Sequence, residues 1–454
     1  MNSSFFGELL QTISERGRAL LDRARDRRGE GAARSENLVE LCEDLLSGRG
    51  EASGVALARE ILARYDELTT GPRIAFFEAL AQRFGSEPAR MRAAIDVWSA
   101  KPGDDTAAEV HAASEPRRQE LFRRLNLAPG GTVALVHMRE QLMDVLGNRD
   151  DLIAVDEDFV HLFSSWFNRG FLVLRSIDWS TPAIVLEKII RYEAVHAIHD
   201  WEDLRRRIDP PDRHCYAFFH PALVDDPLIF VEVALMRDIP AAIAPILATE
   251  REVVEADKMR TAVFYSISNC QRGLAGVSFG NFLIKQVVED IRRDVPKLST
   301  FVTLSPVPGF AAWLAAERAQ EKSAALTDAD KAGLAPLDSP DWWRDAETAA
   351  RLQDPLMRAA AWYFLRARSR RGLPVDPVAR FHLGNGARLE RINWLADTSD
   401  KAMAQACGLM VNYQYDLDDI EKNHESYAEA RTVAASSAVQ RLLRPPLELV
   451  PVAG

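Results

Sequence analysis

The chain has 454 residues, 47% of them hydrophobic and 27% charged, with a formal net charge of −11. That length suggests two or three domains with ample core, and the acidic balance argues against nucleic-acid binding as a main activity, because phosphate contacts need a basic surface. No run of about 18 uncharged apolar residues occurs, so no membrane-spanning helix is expected.

The first residues, Met1 to Arg34, are arginine-rich and carry Phe5, Phe6, Leu9, Leu10 and Ile13. A mitochondrial transit peptide has a related look but avoids acids, and Glu8, Glu15, Asp22, Asp26 and Glu30 interrupt this one. An amphipathic leading helix is expected instead. From Ser35 to Leu146 the pattern stays mostly helical. Leu38, Leu41, Cys42, Leu45 and Leu46 recur at helical spacing, as do Val55, Ala58, Ile61 and Leu62. Ser86-Glu87-Pro88-Ala89 reads as a helix start, and Ala128-Pro129-Gly130-Gly131 as a turn that breaks the run. A helical domain over residues 1–155 follows, expected to pack against something else, with another subunit as the first candidate.

Past Phe159 the character changes. Cys215–His220, Leu228–Leu235, Thr261–Ser268, Phe301–Ser305 and Leu409–Tyr415 are short runs rich in β-branched and aromatic residues, with Asp225-Asp226-Pro227 as a turn between the first two. The amphipathic stretch Asn281–Asp294 between the third and fourth completes a strand–helix–strand unit, which points to an α/β or α+β domain over 156–454. Residues 310–375 turn helical again, with Trp313, Trp342, Trp343 and Trp362 among alanines, as an insertion would. Arg366–Pro374 reads as a flexible basic loop.

Three segments offer chemistry. Gln271-Arg-Gly-Leu-Ala-Gly-Val-Ser-Phe-Gly280 follows a strand and opens onto a helix, where glycines and free amides suit a phosphate; a plain strand-to-helix turn is the alternative. It is neither a P-loop nor a GxGxxG fingerprint. Ser305 ends a strand before Pro306-Val307-Pro308-Gly309, outside any Gly-x-Ser-x-Gly elbow, and reads either as a reactive hydroxyl at a sheet edge or as a turn cap. His382 stands beside Gly384-Asn385-Gly386 among apolar residues, either a shielded acid–base or a structural histidine. His196 and His199 have metal-like spacing without a third ligand, so no metal is expected. The four cysteines, Cys42, Cys215, Cys270 and Cys407, form no CxxC pair, which fits a reducing compartment without disulfides.

Several stretches, taken in order, resemble the malonyl-CoA decarboxylase family: Phe163–Asn168, Phe264–Ser268, Gly273–Gly276 with Phe282–Lys285, Thr303–Phe310, Phe381–Gly386, Arg391–Trp394 and Cys407–Tyr413. The resemblance implies an α+β fold: a helical N-terminal bundle followed by an acetyltransferase-like (GNAT-type) mixed α/β catalytic domain, assembled as a homo-tetramer. It implies Ser305 and His382 as the catalytic pair, with malonyl-CoA along Ala275, Gly276, Val277, Ser278, Phe279, Gly280 and Asn281 and against Ile284. Some family members carry glutamate where this chain has Ser278, which leaves that position without an acid. The C-terminus lacks the peroxisomal signal of eukaryotic members, so a cytoplasmic, bacterial-type enzyme of fatty acid metabolism is expected. No cofactor is expected, because a thioester delocalises the enolate left by CO2. Tyr415 and Ser266 are candidate supporting hydrogen-bond partners, and Lys285, Arg388 and Arg391 candidate phosphate ligands. An acyl-CoA N-acetyltransferase, a serine-dependent acyl-CoA thioesterase and a non-catalytic acyl-CoA sensor share parts of this pattern.

Overall fold

The computed structural model describes residues 33–47, 51–277 and 283–443. The leading helix expected before Arg34 falls almost entirely outside them. The described chain forms two compact units.

The helical unit contains Ala33–Leu46, Glu51–Asp66, Thr70–Arg83, Pro88–Ala100, Asp104–Ser114, Arg117–Asn126, Gly131–Met143 and Ile153–Trp166. Pro88 occupies the first helical position, where its missing N–H costs nothing. Gly130 takes the left-handed conformation (φ 75°) that turns the chain into the next helix. The apolar stripes meet in a core of Leu38, Leu45, Ile61, Phe76, Phe77, Leu80, Phe122, Leu135 and Phe159, all essentially inaccessible. Phe122 stacks on Phe159 with ring centroids 4.1 Å apart. This packing places the junction expected after residue 155 inside the helix Ile153–Trp166, and the unit runs on to Val173. Phe219–Asp226 and residues 271–277 fold with it, a recruitment from distant sequence that local patterning does not announce.

The second unit is built on a mixed sheet of order β1-β2-β3-β4-β5-β8-β6, with β7 paired to β8. The strands are β1 (Val173–Ile177), β2 (Arg213–Phe219), β3 (Pro227–Met236), β4 (Thr261–Asn269), β5 (Thr300–Thr303), β6 (Ser305–Pro306), β7 (Arg388–Asn393) and β8 (Met410–Gln414). β3 and β4 are antiparallel, with a bulge between Glu232 and Val233. β4 and β5 are parallel, joined across the helix Leu283–Asp294, which buries Leu283, Ile284, Val287, Val288 and Ile291 at helical spacing. This is the expected α+β class, a helical unit followed by a mixed-sheet domain. β1 and β7 were not among the expected strands. The run expected over Phe301–Ser305 is broken at Leu304, so that β5 and β6 pair separately with β8.

Side chains alternate across the strands. Ala234, Val263, Tyr265, Val302, Leu304 and Met410 fill a core on one face with Ile243, Ile246 and Ala396. Thr303 and Ser305, with Tyr413 and Tyr415, belong to the opposite face. The expected insertion is present as Phe310–Ala319, Asp328–Gly333 and Ala346–Leu365. Arg366–Pro374 is not an open loop: Ser369 N–H donates to the Leu373 carbonyl (2.8 Å) and Arg368 bridges Pro374, around Gly372 at φ 73°.

Candidate active site

Alternation along Thr303-Leu304-Ser305 puts the Ser305 side chain on the face on which Tyr413 and Tyr415 lie. His382 arrives from the other direction, on the short helix Pro377–Gly384. That helix starts cleanly because Asp376 caps it and Pro377 holds its first position. It stops cleanly because Gly386 adopts φ 82°, where a Cβ would lie 2.1 Å from the Ile420 carbonyl oxygen.

The two side chains meet. Ser305 Oγ lies 3.2 Å from His382 Nε2, and His382 Nδ1 lies 2.7 Å from the Tyr415 hydroxyl. Ser305 donates to Thr303 Oγ1 at 2.8 Å, and Thr303 Oγ1 also accepts the Tyr413 N–H at 3.1 Å. We assign the imidazole proton to Nε2 from this pattern: the serine hydrogen is directed at Thr303, so the serine oxygen accepts from Nε2, and Nδ1 accepts from the Tyr415 phenol. Tyr413 stacks on the imidazole at 4.6 Å and 24°. Ser305, His382, Thr303, Tyr413 and Tyr415 are all buried.

Burial alone pushes His382 from 6.5 down to about 3. Among the described residues no carboxylate stands against it to reverse that shift, so the imidazole is neutral at physiological pH. Burial likewise lifts the Tyr415 phenol well above its ordinary value, which keeps it a hydrogen-bond donor. The arrangement is a neutral, desolvated chain of proton carriers, Thr303–Ser305–His382–Tyr415.

Residues 170–451 match the profile of the malonyl-CoA decarboxylase C-terminal domain, and residues 84–167 that of its N-terminal domain. The chain belongs to the malonyl-CoA decarboxylase family. It is 37% identical over 418 residues to the mitochondrial malonyl-CoA decarboxylase of Anser anser anser, covering 84% of this chain and 82% of that protein. Against the Rattus norvegicus protein of the same name it is 34% identical over 434 residues, 88% of this chain and 85% of that one. Among solved structures, malonyl-CoA decarboxylase from Rhodopseudomonas palustris is 58% identical with a TM-score of 0.87, over 90% of this chain and 99% of that one. The Agrobacterium vitis structure is 57% identical with a TM-score of 0.86, over 90% of this chain and 100% of that one.

The other candidate residues are dispersed. Ser266 lies on β4, where its hydroxyl donates to Glu193 Oε2 at 2.7 Å and stands 3.3 Å from Ser268 Oγ; it is tied to that carboxylate and not to the Ser305–His382 chain. In the helical unit, Ala275 and Gly276 are exposed and Val277 buried, and Gly276 is at φ 80°, a conformation that favours glycine. Arg139 holds the carbonyls of Gly273 (2.8 Å) and Ala275 (2.7 Å) while paired with Asp156 at 2.8 Å. Gly273 is required there, because a Cβ would lie 2.1 Å from the Val136 carbonyl oxygen. The amides of Leu274, Ala275 and Val277 are engaged in turn hydrogen bonds, so the part of the loop described offers a phosphate fewer free donors than its glycines suggest. Ser278, Phe279, Gly280 and Asn281 lie outside the described residues. Ile284 is buried in its own helix packing.

The basic candidates are engaged within the chain. Lys285 pairs with Glu421, Arg388 bonds Glu390 and Gln414, and Arg391 bonds Asn412 and the carbonyls of Ile239 and Pro240. Among the described residues, no group of three His, Cys, Asp or Glu side chains converges as a metal site.

Sequence reasoning missed Thr303 and Tyr413. Both read as ordinary strand residues. The signal that would have found them is the two-residue period, which puts Thr303 on the face of Ser305 and Tyr413 on the face of Tyr415.

Proposed function

We propose that the chain, a carboxy-lyase of the malonyl-CoA decarboxylase family, converts malonyl-CoA to acetyl-CoA and CO2 at Ser305 and His382. The observation that carries this reading is the buried contact between Ser305 Oγ and His382 Nε2, completed by Tyr415.

The electron pair of the breaking carbon–carbon bond passes into the thioester carbonyl as CO2 leaves, giving an enolate that needs one proton on its α-carbon. His382 is neutral when the site is empty, so that proton enters with the substrate. A malonyl carboxylate set against a desolvated, uncharged imidazole favours its protonated form and reverses the shift that burial alone imposes. After bond cleavage the imidazolium returns the proton to the α-carbon and His382 is neutral again. One proton is consumed per turnover. Ser305 holds the leaving carboxylate, its hydroxyl turning from Thr303 to donate to it. Tyr415 fixes the ring by donating to Nδ1.

Malonyl-CoA binding is assigned to Ala275, Gly276, Val277, Ser278, Phe279, Gly280, Asn281 and Ile284. Family membership supports it. The enzyme works as a homo-tetramer in fatty acid metabolism. Four free thiols, Cys42, Cys215, Cys270 and Cys407, fit a reducing compartment, for which the cytoplasm is the setting proposed; the named animal relatives are mitochondrial proteins. No described helix is long and apolar enough to cross a membrane.

Product analysis tests the reading. Incubated with malonyl-CoA and no added metal, the protein is expected to give CO2 and acetyl-CoA in equal amounts. Free CoA with intact malonate would mark a thioesterase, and acetyl transfer to an added amine without CO2 release an acetyltransferase; either result overturns the assignment.

A further inference from the structure

Ser305 and His382 lie on separate elements and meet through one 3.2 Å contact. Something must hold those elements in register. Tyr363, near the end of the inserted helix Ala346–Leu365, stands at both. Its hydroxyl donates to Asp376 Oδ2 at 3.2 Å. The other oxygen, Oδ1, accepts the Ala379 N–H at 2.8 Å and so caps the helix that carries His382. On its other side the Tyr363 hydroxyl fills the space where Gly309 has no side chain, at the end of the Ser305-Pro306-Val307-Pro308 exit. A Cβ on Gly309 would lie 2.7 Å from that oxygen and 3.9 Å from the ring carbon bearing it. The ring cannot swing away cheaply: it is fully buried, with Trp313 at 5.0 Å and Phe310 edge-on at 5.6 Å.

We propose that Tyr363 and Asp376 are positioning residues for decarboxylation, a latch in which the inserted helix sets the Ser305–His382 distance by gripping the Gly309 turn and the cap of the histidine helix together. The proposal rests on Ser305 and His382 being the reacting pair. It gives the insertion a role in turnover: neither latch residue touches substrate, and each acts through the geometry of the pair.

Such a latch affects turnover more than binding. Tyr363→Phe, which keeps the ring and removes the hydroxyl, is expected to lower kcat about tenfold with KM within about twofold. Asp376→Ala removes both the cap and the acceptor and is expected to lower kcat by about a hundredfold. Asp376→Asn keeps an oxygen for Ala379 and a polar group for Tyr363, and is expected to restore kcat to within about threefold of wild type.

The sharpest test is a double-mutant cycle. Gly309 has φ −103°, so alanine strains no backbone there, and its only close contact is the tyrosine oxygen. Gly309→Ala alone is expected to lower kcat about tenfold, and to lower it no further in the Tyr363→Phe background, where the clashing atom is gone. Equal losses from Gly309→Ala in both backgrounds, or wild-type kcat in Tyr363→Phe, overturn the latch. Circular dichroism and thermal unfolding identify variants that fail to fold, and the double variant, which carries neither hydroxyl nor clash, keeps the cycle readable. His382→Ala run alongside separates the two levels. Full turnover there overturns the catalytic pair and the latch with it; lost turnover there, with unchanged kcat in Tyr363→Phe, overturns the latch alone.

Discussion

The sheet unit buries two polar clusters built in opposite ways. Around Glu193 a carboxyl group is met by donors from more than one segment. Its carboxylate accepts the amides of Val195 (2.8 Å) and His196 (2.7 Å) and the hydroxyls of Ser266 (2.7 Å) and Ser268 (3.2 Å). Glu232, fully buried, meets Arg207 through Oε2 at 3.1 Å, yet burial lifts its carboxyl to about 8, and its Oε1 has no hydrogen-bond partner among the described residues. Around His382, among the described residues, it is hydroxyls and rings that touch the imidazole, with the Asp376 carboxyl at the far end of its helix. Burial by itself therefore does not mark a reactive group. A buried carboxyl with its partners in place is a strut, costly to disturb and chemically quiet. A buried neutral base without a counter-ion is one whose protonation an arriving anion can change.

Damage to the Glu193 cluster is expected to show most in stability. Glu193→Ala leaves two amides and two hydroxyls without their acceptor and is expected to lower the free energy of unfolding by about 3 kcal/mol, measured by urea denaturation. A loss under about 0.5 kcal/mol would mean that the cluster is not the strut described, since that is the range of ordinary surface changes.

A smaller and more specific effect lies in pH. His382 is held near 3 in the folded chain, against 6.5 for the ordinary group. Between those values the unfolded chain binds a proton that the folded chain refuses. Stability is therefore fully present above pH 6.5 and falls as pH drops through the window, by up to about 1.4 kcal/mol per pH unit for this one group. Denaturation of wild type and His382→Gln at pH 7.5, 6 and 5 is expected to show a shallower acid loss in the variant. Parallel curves would mean that His382 is not neutral when folded.

The contrast between the clusters was only half legible in the sequence. β2 to β5 and β8 stood out because central strands buried on both faces read as continuous apolar and aromatic runs. β1, Val-Leu-Arg-Ser-Ile, and β7, Arg-Leu-Glu-Arg-Ile-Asn, lie at the margins of the sheet and carry charges that hide their period. Ser305 and His382 were found through the family-like motifs around them, although each alone also fits a structural role. Ser266 was grouped with them because a strand serine looks alike whichever carboxylate it meets, and Glu193 comes from a distant segment. The Gln271–Gly280 loop looked the most phosphate-ready by its glycines. Yet Gly273 is there to admit the Val136 carbonyl, and Arg139 takes the carbonyls of Gly273 and Ala275. Glycine content reports a close approach of backbone; what approaches is settled by the fold.

A neutral, buried His382 collects a proton with the substrate and delivers it to carbon beside Ser305. Single-turnover acetyl-CoA formation from malonyl-CoA by folded His382→Ala tests this most directly. A rate lower by about a thousandfold is expected, in the range of general acid–base contributions, with an unfolding transition like that of wild type at pH 7.5. Acetyl-CoA formation at the wild-type rate by a folded His382→Ala protein would contradict it.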